Sequence, residues 1–417
     1  MLLSSFLTAT AGLIAINLAS SEKRIAAPIG SPDGAEEPGF ERAMSTLFGP
    51  VLLPGNRVTA LENGANIFPA MLAAIHAARK TITFETYIYW SGQVGNRFAE
   101  ALAERARAGV KVNLILDAVG AGKIDEHAIA LMRGAGVDIE KYHALRWYNL
   151  DRINNRTHRK LLVVDGRVGF TGGVGIADKW DGDGDTPEHW RDSHFRLEGP
   201  AVGEMQATFV DHWLAARGVL LNGTDYFPPL AATGDARAQM VRSSVEDGAE
   251  SIHLMYLLSI AAARHNLRLA TAYFVPDDRA VEALVAARRR GVDVQILVPG
   301  PIIDTEVTRA ASRALWGPLL QAGVPIYEFQ PTMFHCKVMV VDDVWTSVGS
   351  TNFDNRSFRL NDEANLNVLD PTLARHEREV FERDRARAHR ITLQDWQRRS
   401  RWQRVKEWFA GTLRAEL

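Results

Sequence analysis

The feature that most constrains the fold is an internal duplication, in which the same order of segments appears twice along the chain. The β-rich segment 80–90 is matched by 267–276. Each is followed by a helical stretch, a Gly-Val step and an apolar strand, at 101–116 and at 283–298. A period of roughly 180 residues is too long for a solenoid repeat, so the chain is predicted to contain two similar domains.

The order of elements within each half predicts the fold class. Strands alternate with helices of ten or more residues, which is typical of βαβ units. We therefore predict an α/β protein of two similar domains, each a mixed, mostly parallel β-sheet flanked by helices. A site shared by two such halves would lie at their interface. With 417 residues, 46% of them hydrophobic, the chain is long enough to bury two cores of this kind.

Each half also carries a His, a Lys and an Asp at identical spacing, followed by two small residues. The members are His158, Lys160, Asp165 and Gly172-Gly173 in the first half, and His335, Lys337, Asp342 and Gly349-Ser350 in the second. A His and a Lys two positions apart on a strand project from the same face. Because a buried Lys without a role would be costly, the repeated pattern indicates a catalytic site rather than two ordinary strands.

The later members of each motif have a structural interpretation. Asp165 and Asp342 complete the two catalytic motifs, but they fall where a hairpin turn should close, so we expect a role at the turn. Gly173 and Ser350 are small enough to let an anionic group approach the backbone closely. We predict that they bind phosphate.

The chemistry of the paired motifs suits a phosphodiester. Two lysines can neutralise the non-bridging oxygens. One neutral imidazole can attack phosphorus while the other, protonated, donates to the leaving oxygen. Because the lysines take the electrostatic role of a metal, neither a metal nor another cofactor is expected.

A nucleophilic His also needs an acceptor that holds its far ring nitrogen. Two carboxylates, Asp192 and Glu363, follow the two motifs in matching places. We predict that they orient the histidines; the alternative is that they are ordinary surface carboxylates.

The doubled His-x-Lys-x4-Asp pattern resembles the HKD signature of the phospholipase D superfamily over roughly residues 55–370. The segments 85–90, 273–276 and 361–363 further resemble bacterial cardiolipin synthases. The resemblance implies two phospholipase D-like domains and a phosphatidyltransferase activity. Such an enzyme joins two phosphatidylglycerol molecules through a phosphohistidine intermediate and releases glycerol.

The resemblance also implies roles for individual residues. The nucleophile would be His158, and His335 would act as general acid and then as general base. Asn352 would bind phosphate. Its counterpart in the first half is Gly175, which departs from the family pattern and removes one amide donor.

Three other functions are compatible with the motifs. Transfer to water would make the protein a phospholipase D that releases phosphatidic acid, and phosphatidylethanolamine could serve as donor in place of phosphatidylglycerol. A nuclease of the same superfamily is disfavoured by the net charge of −2, which provides no basic field for nucleic acid. A lipid-binding relative without turnover is disfavoured because both motifs are intact. The oligomeric state is left open.

Composition and the repeat suggest five segments. Residues 1–24 contain an uncharged, mostly apolar run close to the ~20 residues that a transmembrane helix needs, and they are predicted to be a membrane anchor. An interfacial or a cleaved segment is the alternative. Residues 25–55 are rich in Pro and Gly and are predicted to be a linker. The two domains are placed at 56–225 and 226–370, followed by a C-terminal segment, 371–417.

The C-terminal segment is basic and has an apolar stripe at helical spacing. The stripe consists of Trp402, Val405, Phe409 and Leu413. A helix of this kind suits an anionic membrane surface, although it could instead pack its stripe onto the body. A basic pair, Lys23-Arg24, follows the apolar N-terminal run. We therefore predict a protein of the bacterial inner membrane with cytoplasmic catalytic domains.

Overall fold

The computed structural model describes residues 25, 27–31, 33–142, 155–244 and 250–414. The predicted membrane anchor, residues 1–24, lies outside these described residues. Among the residues that are described, no helix is long and apolar enough to cross a membrane.

The first half of the chain contains eight described strands and five described α-helices. The strands are β1 (Leu53–Glu62), β2 (Thr81–Thr86), β3 (Lys111–Asp117), β4 (Asp138–Tyr142), β5 (Arg156–Thr157), β6 (Leu161–Val164), β7 (Val168–Gly172) and β8 (Ser193–Glu198). The helices are α1 (Pro38–Phe48), α2 (Asn63–Ala77), α3 (Gln93–Arg107), α4 (Glu126–Gly134) and α5 (Val202–Arg217).

The second half repeats this order and then continues to the C-terminal helices. Its strands are β9 (Ala236–Ser243), β10 (Asn266–Thr271), β11 (Phe274–Val275), β12 (Asp293–Pro299), β13 (Ile326–Phe329), β14 (Lys337–Val341), β15 (Trp345–Gly349), β16 (Phe353–Asp354), β17 (Asn361–Leu369) and β18 (Ala388–Ile391). Its helices are α6 (Ser251–Ala262), α7 (Asp278–Arg289), α8 (Glu306–Ala314), α9 (Trp316–Gln321), α10 (Asn355–Arg359), α11 (Pro371–Ala386), α12 (Leu393–Gln397) and α13 (Arg401–Thr412).

The two halves form similar mixed sheets, which confirms the predicted α/β fold class. In the first half the order is β1-β8-β7-β6-β2-β3-β4, and in the second it is β9-β17-β15-β14-β10-β12-β13-β18. Parallel pairing along these paths is confined to β2-β3-β4 and β10-β12-β13. The sheets are thus less parallel than predicted, because each motif forms an antiparallel hairpin beside the βαβ strands.

The two sheets join edge to edge, because β1 pairs with β9 in antiparallel fashion. Each half has its own hydrophobic core between sheet and helices. A third core contains residues of both halves, among them Val163 and Phe195 from the first and Val340 and Leu366 from the second. The halves are therefore packed through a shared apolar core, which fixes the two motifs relative to each other.

Part of the predicted linker is folded. Helix α1 begins with Pro38 at its first turn, where the missing N–H costs nothing. Phe40 and Met44 are buried in the core of the second half, and the Phe40 ring meets that of Trp345 edge to face, with 5.0 Å between centroids. Composition alone suggested a linker here, but two apolar side chains one helical turn apart are sufficient to dock this segment.

Candidate active site

The two motifs form matching hairpins. The strands β6 and β7 are joined by a three-residue turn, as are β14 and β15. The motif His and Lys lie at the start of each hairpin, and the motif Asp lies at its turn. In each hairpin the His and Lys are therefore at one end of the first strand, β6 or β14, and the Asp is at the other end.

Asp165 and Asp342 lie at the turns of the two hairpins, where a structural role was expected. Both have positive φ angles, 53° and 52°. The Asp342 carboxylate accepts hydrogen bonds from three consecutive backbone N–H groups, those of residues 264, 265 and 266, at 2.7–2.8 Å. Asp165 accepts from the N–H groups of residues 79, 80 and 81. Each carboxylate therefore ties its turn to the start of the neighbouring strand, β2 or β10, which supports the expected role at the turn.

His158 is held by a carboxylate from the other half. Its backbone N–H donates to the carbonyl of Asp362 at 2.9 Å, where β5 runs beside β17. Its Nδ1 lies 2.9 Å from Oε1 and 3.0 Å from Oε2 of Glu363. Because a carboxylate accepts, Nδ1 carries the proton in this contact and Nε2 is left with the lone pair.

His335 is held in the reciprocal way. Its Nδ1 lies 2.7 Å from Oδ2 of Asp192, a residue of the first half. The same carboxylate accepts from the indole N–H of Trp180 at 2.8 Å and from the backbone N–H of Ser193 at 2.8 Å. Both predicted orienting carboxylates are completely buried and bind a histidine, which excludes the surface alternative.

The two lysines lie beside the histidines. Lys160 Nζ donates to the carbonyl of His158 at 2.7 Å, and Lys337 Nζ donates to the carbonyl of His335 at 2.6 Å. Burial lowers the pKa of Lys160 to about 7 and also lowers the pKa of Lys337. The cost of burying two ammonium groups would fall when an anion enters the pocket, so the site is suited to a phosphate.

Burial sets the protonation of the histidines. It lowers the pKa of His158 to about 4, with Lys160 acting in the same direction and Glu363 opposing. Burial and then Lys337 lower the pKa of His335. Burial would raise the pKa of Glu363, but His158, Lys160 and the hydroxyl of Ser350 lower it to about 2. At neutral pH His158 is therefore uncharged beside an ionised Glu363, as a nucleophile requires.

The two small residues predicted to bind phosphate lie against the orienting carboxylates. Ser350 Oγ donates to Glu363 Oε2 at 2.5 Å. A Cβ at Gly173 would lie 2.1 Å from Oδ1 of Asp192, so only glycine leaves room for that carboxylate. Neither residue lines the pocket. Their small size leaves room for the two orienting carboxylates, and phosphate binding by these residues stays a prediction.

Asn352 lies at the pocket wall, 3% exposed, and its Oδ1 has no hydrogen-bond partner. In the first half the corresponding Gly175 leaves space that the side chains of Ile88 and Trp180 fill. A Cβ there would lie 2.8 Å from Ile88 and 3.2 Å from the indole of Trp180. The amide of the second half is thus replaced by the apolar side chains of Ile88 and Trp180 in the first.

A pocket of about 620 Å³ lies between the two hairpins and is lined by both halves. It exposes His158 and Lys160 from the first half and His335 from the second. Its wall carries five aromatic and four further basic side chains, namely Tyr87, Trp90, Trp180, Trp190, Tyr273, Lys123, Lys179, Arg156 and Arg356. The pocket is therefore both apolar-walled and cationic, which suits the headgroup region of an anionic lipid.

Sequence reasoning did not identify several of these wall residues. The rings of Trp180 and Trp190 lie 5.3 and 5.5 Å from the His335 ring. Asp304 accepts a hydrogen bond from the Tyr273 hydroxyl at 2.6 Å and also lines the pocket. The available signal was positional, since Asp304 follows β12 and ligand sites favour the carboxyl ends of parallel strands.

The described parts of the chain contain no group of three or more His, Cys, Asp or Glu side chains arranged to hold a metal ion. The cationic groups in the pocket are side chains of the protein itself.

The chain is similar to known proteins over most of its length. Residues 71–180 and 256–385 match the family described as "Cardiolipin synthase, PLD-like domain". The probable cardiolipin synthase YwiE of Bacillus subtilis (strain 168) is 33% identical over 357 residues, covering 85% of this chain and 71% of that protein. Cardiolipin synthase A of Pseudomonas putida is 33% identical over 370 residues, covering 87% and 75%. The structure of phosphatidylserine synthase from Haemophilus influenzae Rd KW20 matches with a TM-score of 0.68 at 14% identity, over 91% of this chain and 100% of that one, which shows a shared fold.

Proposed function

Because this chain belongs to the cardiolipin synthase family of phospholipase D-like proteins, we propose that it makes cardiolipin from two phosphatidylglycerol molecules and releases glycerol. The resemblance inferred from the motifs is confirmed, and the enzyme is a phosphatidyltransferase of the phospholipase D type. The relatives named above are cardiolipin synthases, which favours transfer over hydrolysis.

The observation that carries the proposed mechanism is the reciprocal pairing of the motifs. Each histidine gives its Nδ1 to a buried carboxylate of the opposite half, so Nε2 is the ring nitrogen left for chemistry. We propose that the domains at 56–225 and 226–370 each contribute one imidazole, one ammonium group and one orienting carboxylate. Neither half alone has a complete site.

The first step would form a phosphohistidine. His158 Nε2 attacks phosphorus of one phosphatidylglycerol, the bond from phosphorus to the glycerol oxygen breaks, and His335 gives that oxygen a proton. Lys160 and Lys337 balance the charge on the non-bridging oxygens. In the second step, His335 takes the proton from a hydroxyl of the other phosphatidylglycerol, whose oxygen attacks phosphorus and releases His158.

The choice of a lipid hydroxyl over water is attributed to the wall of the pocket. Tyr87, Trp180 and Trp190 surround the two histidines with apolar surface, which disfavours a loosely bound water at the attacking position. The substrates are phospholipids. We propose phosphatidylglycerol as donor and acceptor, with phosphatidylethanolamine as an alternative donor that offers the same phosphodiester.

We further propose that the protein acts at the inner membrane with its catalytic halves on the cytoplasmic side. The support is the basic pair Lys23-Arg24 after the apolar N-terminal run, together with the cationic pocket wall.

The activity is tested by incubating the full-length protein with labelled phosphatidylglycerol in EDTA and resolving the products by mass. Cardiolipin and glycerol in equal amounts are expected, and His158→Ala should make neither. Phosphatidic acid in place of cardiolipin would establish hydrolysis. No turnover with phosphatidylglycerol or phosphatidylethanolamine, with or without divalent ions, would refute the assignment.

A further inference from the structure

The described surface has one helix whose apolar side chains face away from the protein. On α13 and just beyond it, five large apolar residues are exposed, four of them by more than half. They are Trp402, Val405, Trp408, Phe409 and Leu413, and we call them the α13 face. Only Glu407 and Ala410 of this helix are buried. The sequence left open whether the stripe packs onto the body, and the structure places it outward.

The charges on α13 are segregated in the same way. Its one acidic residue, Glu407, points inward and binds Arg313 at 3.3 Å and also Arg399. Arg401, Arg404 and Lys406 are exposed. The solvent side of the helix is therefore aromatic and cationic, a combination typical of helices that lie in the headgroup region of an anionic bilayer.

Helix α13 also lies beside elements of the pocket wall. Helix α13 packs on α8, whose first turn includes Thr308 of the pocket wall. At its far end, the carbonyl of Arg414 accepts from Asn355 Nδ2 at 3.0 Å. Asn355 lies between Asp354 and Arg356, which both line the pocket. Two elements of the pocket wall thus support α13 directly.

From these observations we infer that the α13 face docks the enzyme on an anionic lipid bilayer beside the entrance of the active site. The inference rests on the proposed function, because both substrates then reside in that bilayer. The embedded indoles would hold the pocket at the headgroup level, so that lipids reach His158 laterally while glycerol leaves to water. A dimer formed symmetrically through this face would bring Arg401, Arg404 and Lys406 against their own copies, which is unfavourable.

The chain offers a matched control at another exposed apolar cluster. Leu214, Val219 and Leu220, at and beyond the end of α5, are also about half exposed. The neighbouring Arg217 binds Asp138 at the start of β4, the opposite end of that strand from the pocket. Substitutions there change surface hydrophobicity without touching the α13 face.

The first experiment measures insertion independently of catalysis. Full-length protein with His158→Ala is mixed with vesicles of phosphatidylglycerol and phosphatidylcholine that carry brominated acyl chains, which quench nearby indoles. We expect quenching that is lost when Trp402→Phe and Trp408→Phe remove the reporters. Unchanged quenching in that variant, or none in the parent, would show that protein rather than lipid covers the face.

The second experiment compares activity on vesicles with activity on short-chain, monomeric phosphatidylglycerol. The triple variant Trp402→Gln/Trp408→Gln/Phe409→Gln should lose roughly tenfold on vesicles and keep its short-chain activity. Leu214→Gln/Val219→Gln/Leu220→Gln should change neither. Equal losses in both triple variants, or a dimer in light scattering that only the α13 variant dissociates, would overturn the inference. If the parent protein does not turn over short-chain phosphatidylglycerol at all, the proposed function is refuted. The quenching experiment would still test whether the α13 face binds lipid.

Discussion

The carboxylate of Glu363 lies 2.9 Å from Nδ1 of His158, although 205 residues separate them in the chain. The reciprocal contact joins Asp192 to His335 at 2.7 Å. Each half therefore orients the imidazole of the other. A consequence is that the site forms only when the halves are docked, because separating them would leave two buried carboxylates without their partners.

The Glu363→Gln substitution tests the orienting role. The amide is close to the carboxylate in size but lacks the charge that stabilises the imidazolium and fixes the tautomer of His158. We expect kcat to fall by about 10²–10⁴ with little change in KM, by analogy with other oriented histidines. Steady-state kinetics on phosphatidylglycerol measure this. Ser350→Ala removes one hydrogen bond to the same carboxylate and should raise the activation free energy by only about 1 kcal/mol.

The assignment of nucleophile and acid is tested with a phosphatidyl substrate that has an activated leaving group such as nitrophenol. With His335→Ala, the phosphatidyl group should accumulate on His158, because the leaving group needs no proton and the acceptor is not activated. With His158→Ala no adduct should form. Intact mass and peptide mapping detect the phosphohistidine. An adduct on His335 in the His158→Ala protein would reverse the two roles.

The pH dependence of kcat/KM follows from the free enzyme. Neutral His158 is needed, so activity should rise as pH increases through its pKa of about 4. On the alkaline side, His335 must be protonated to act as the acid, and Lys160 must be protonated to bind the anionic phosphodiester. Activity should therefore fall as pH increases through the lowered pKa of His335 and through the Lys160 pKa of about 7. A bound anionic phosphate favours the protonated forms of His158 and Lys160. The pH profile of kcat should therefore lie at higher pH than the profile of kcat/KM. In Lys160→Arg the contribution of Lys160 should disappear, so that the alkaline limb becomes less steep, and an unchanged limb would assign it to His335 alone.

The role of Asp342 at the turn predicts a stability effect without a chemical one. Asp342→Ala removes the acceptor of three backbone N–H groups and leaves alanine at a positive φ. The free energy of unfolding should therefore fall by about 2–4 kcal/mol. Asp342→Asn, which tolerates that φ and keeps an acceptor oxygen, should lose less. Guanidinium unfolding gives the stability, and kcat per folded molecule should stay close to the parent value in both. A large fall in kcat per folded molecule would instead show that Asp342 has a catalytic role.

Much of this arrangement could be predicted from the sequence because it is local. Identical spacing in two halves predicted both hairpins, and the need for an acceptor on a reactive imidazole identified Asp192 and Glu363. Their crossed pairing could not be predicted, because it depends on β17 running beside β5 and on the backbone carbonyl of Arg191 accepting from the N–H of His335. The outward orientation of the α13 face could not be predicted for the same reason. A periodic apolar stripe predicts a helix but not whether the stripe packs on the protein or faces outward.

The wall of the pocket was harder to predict than its catalytic groups. Trp180 and Trp190 have no repeat counterpart that would have marked them, and their contact with His335 depends on the path of the segment between β7 and β8. Helix α1 was missed because its composition resembles a linker, whereas its burial depends on Trp345, about 300 residues away in the sequence. Contacts between distant segments decide these features, and no local pattern encodes them.

The role of Gly173 can be tested by adding a single methyl group. A Cβ at this position would lie 2.1 Å from Oδ1 of Asp192, so Gly173→Ala must displace the carboxylate that orients His335. A shift of about 1 Å at an acid-base residue can cost on the order of 10²-fold in rate, and we expect a loss of that size in kcat. Gly134→Ala is the matched control, since no atom lies within 4 Å of its Cβ position and its φ is not positive. If Gly173→Ala instead weakened substrate binding and left kcat intact, Gly173 would contact phosphate, as the sequence first indicated.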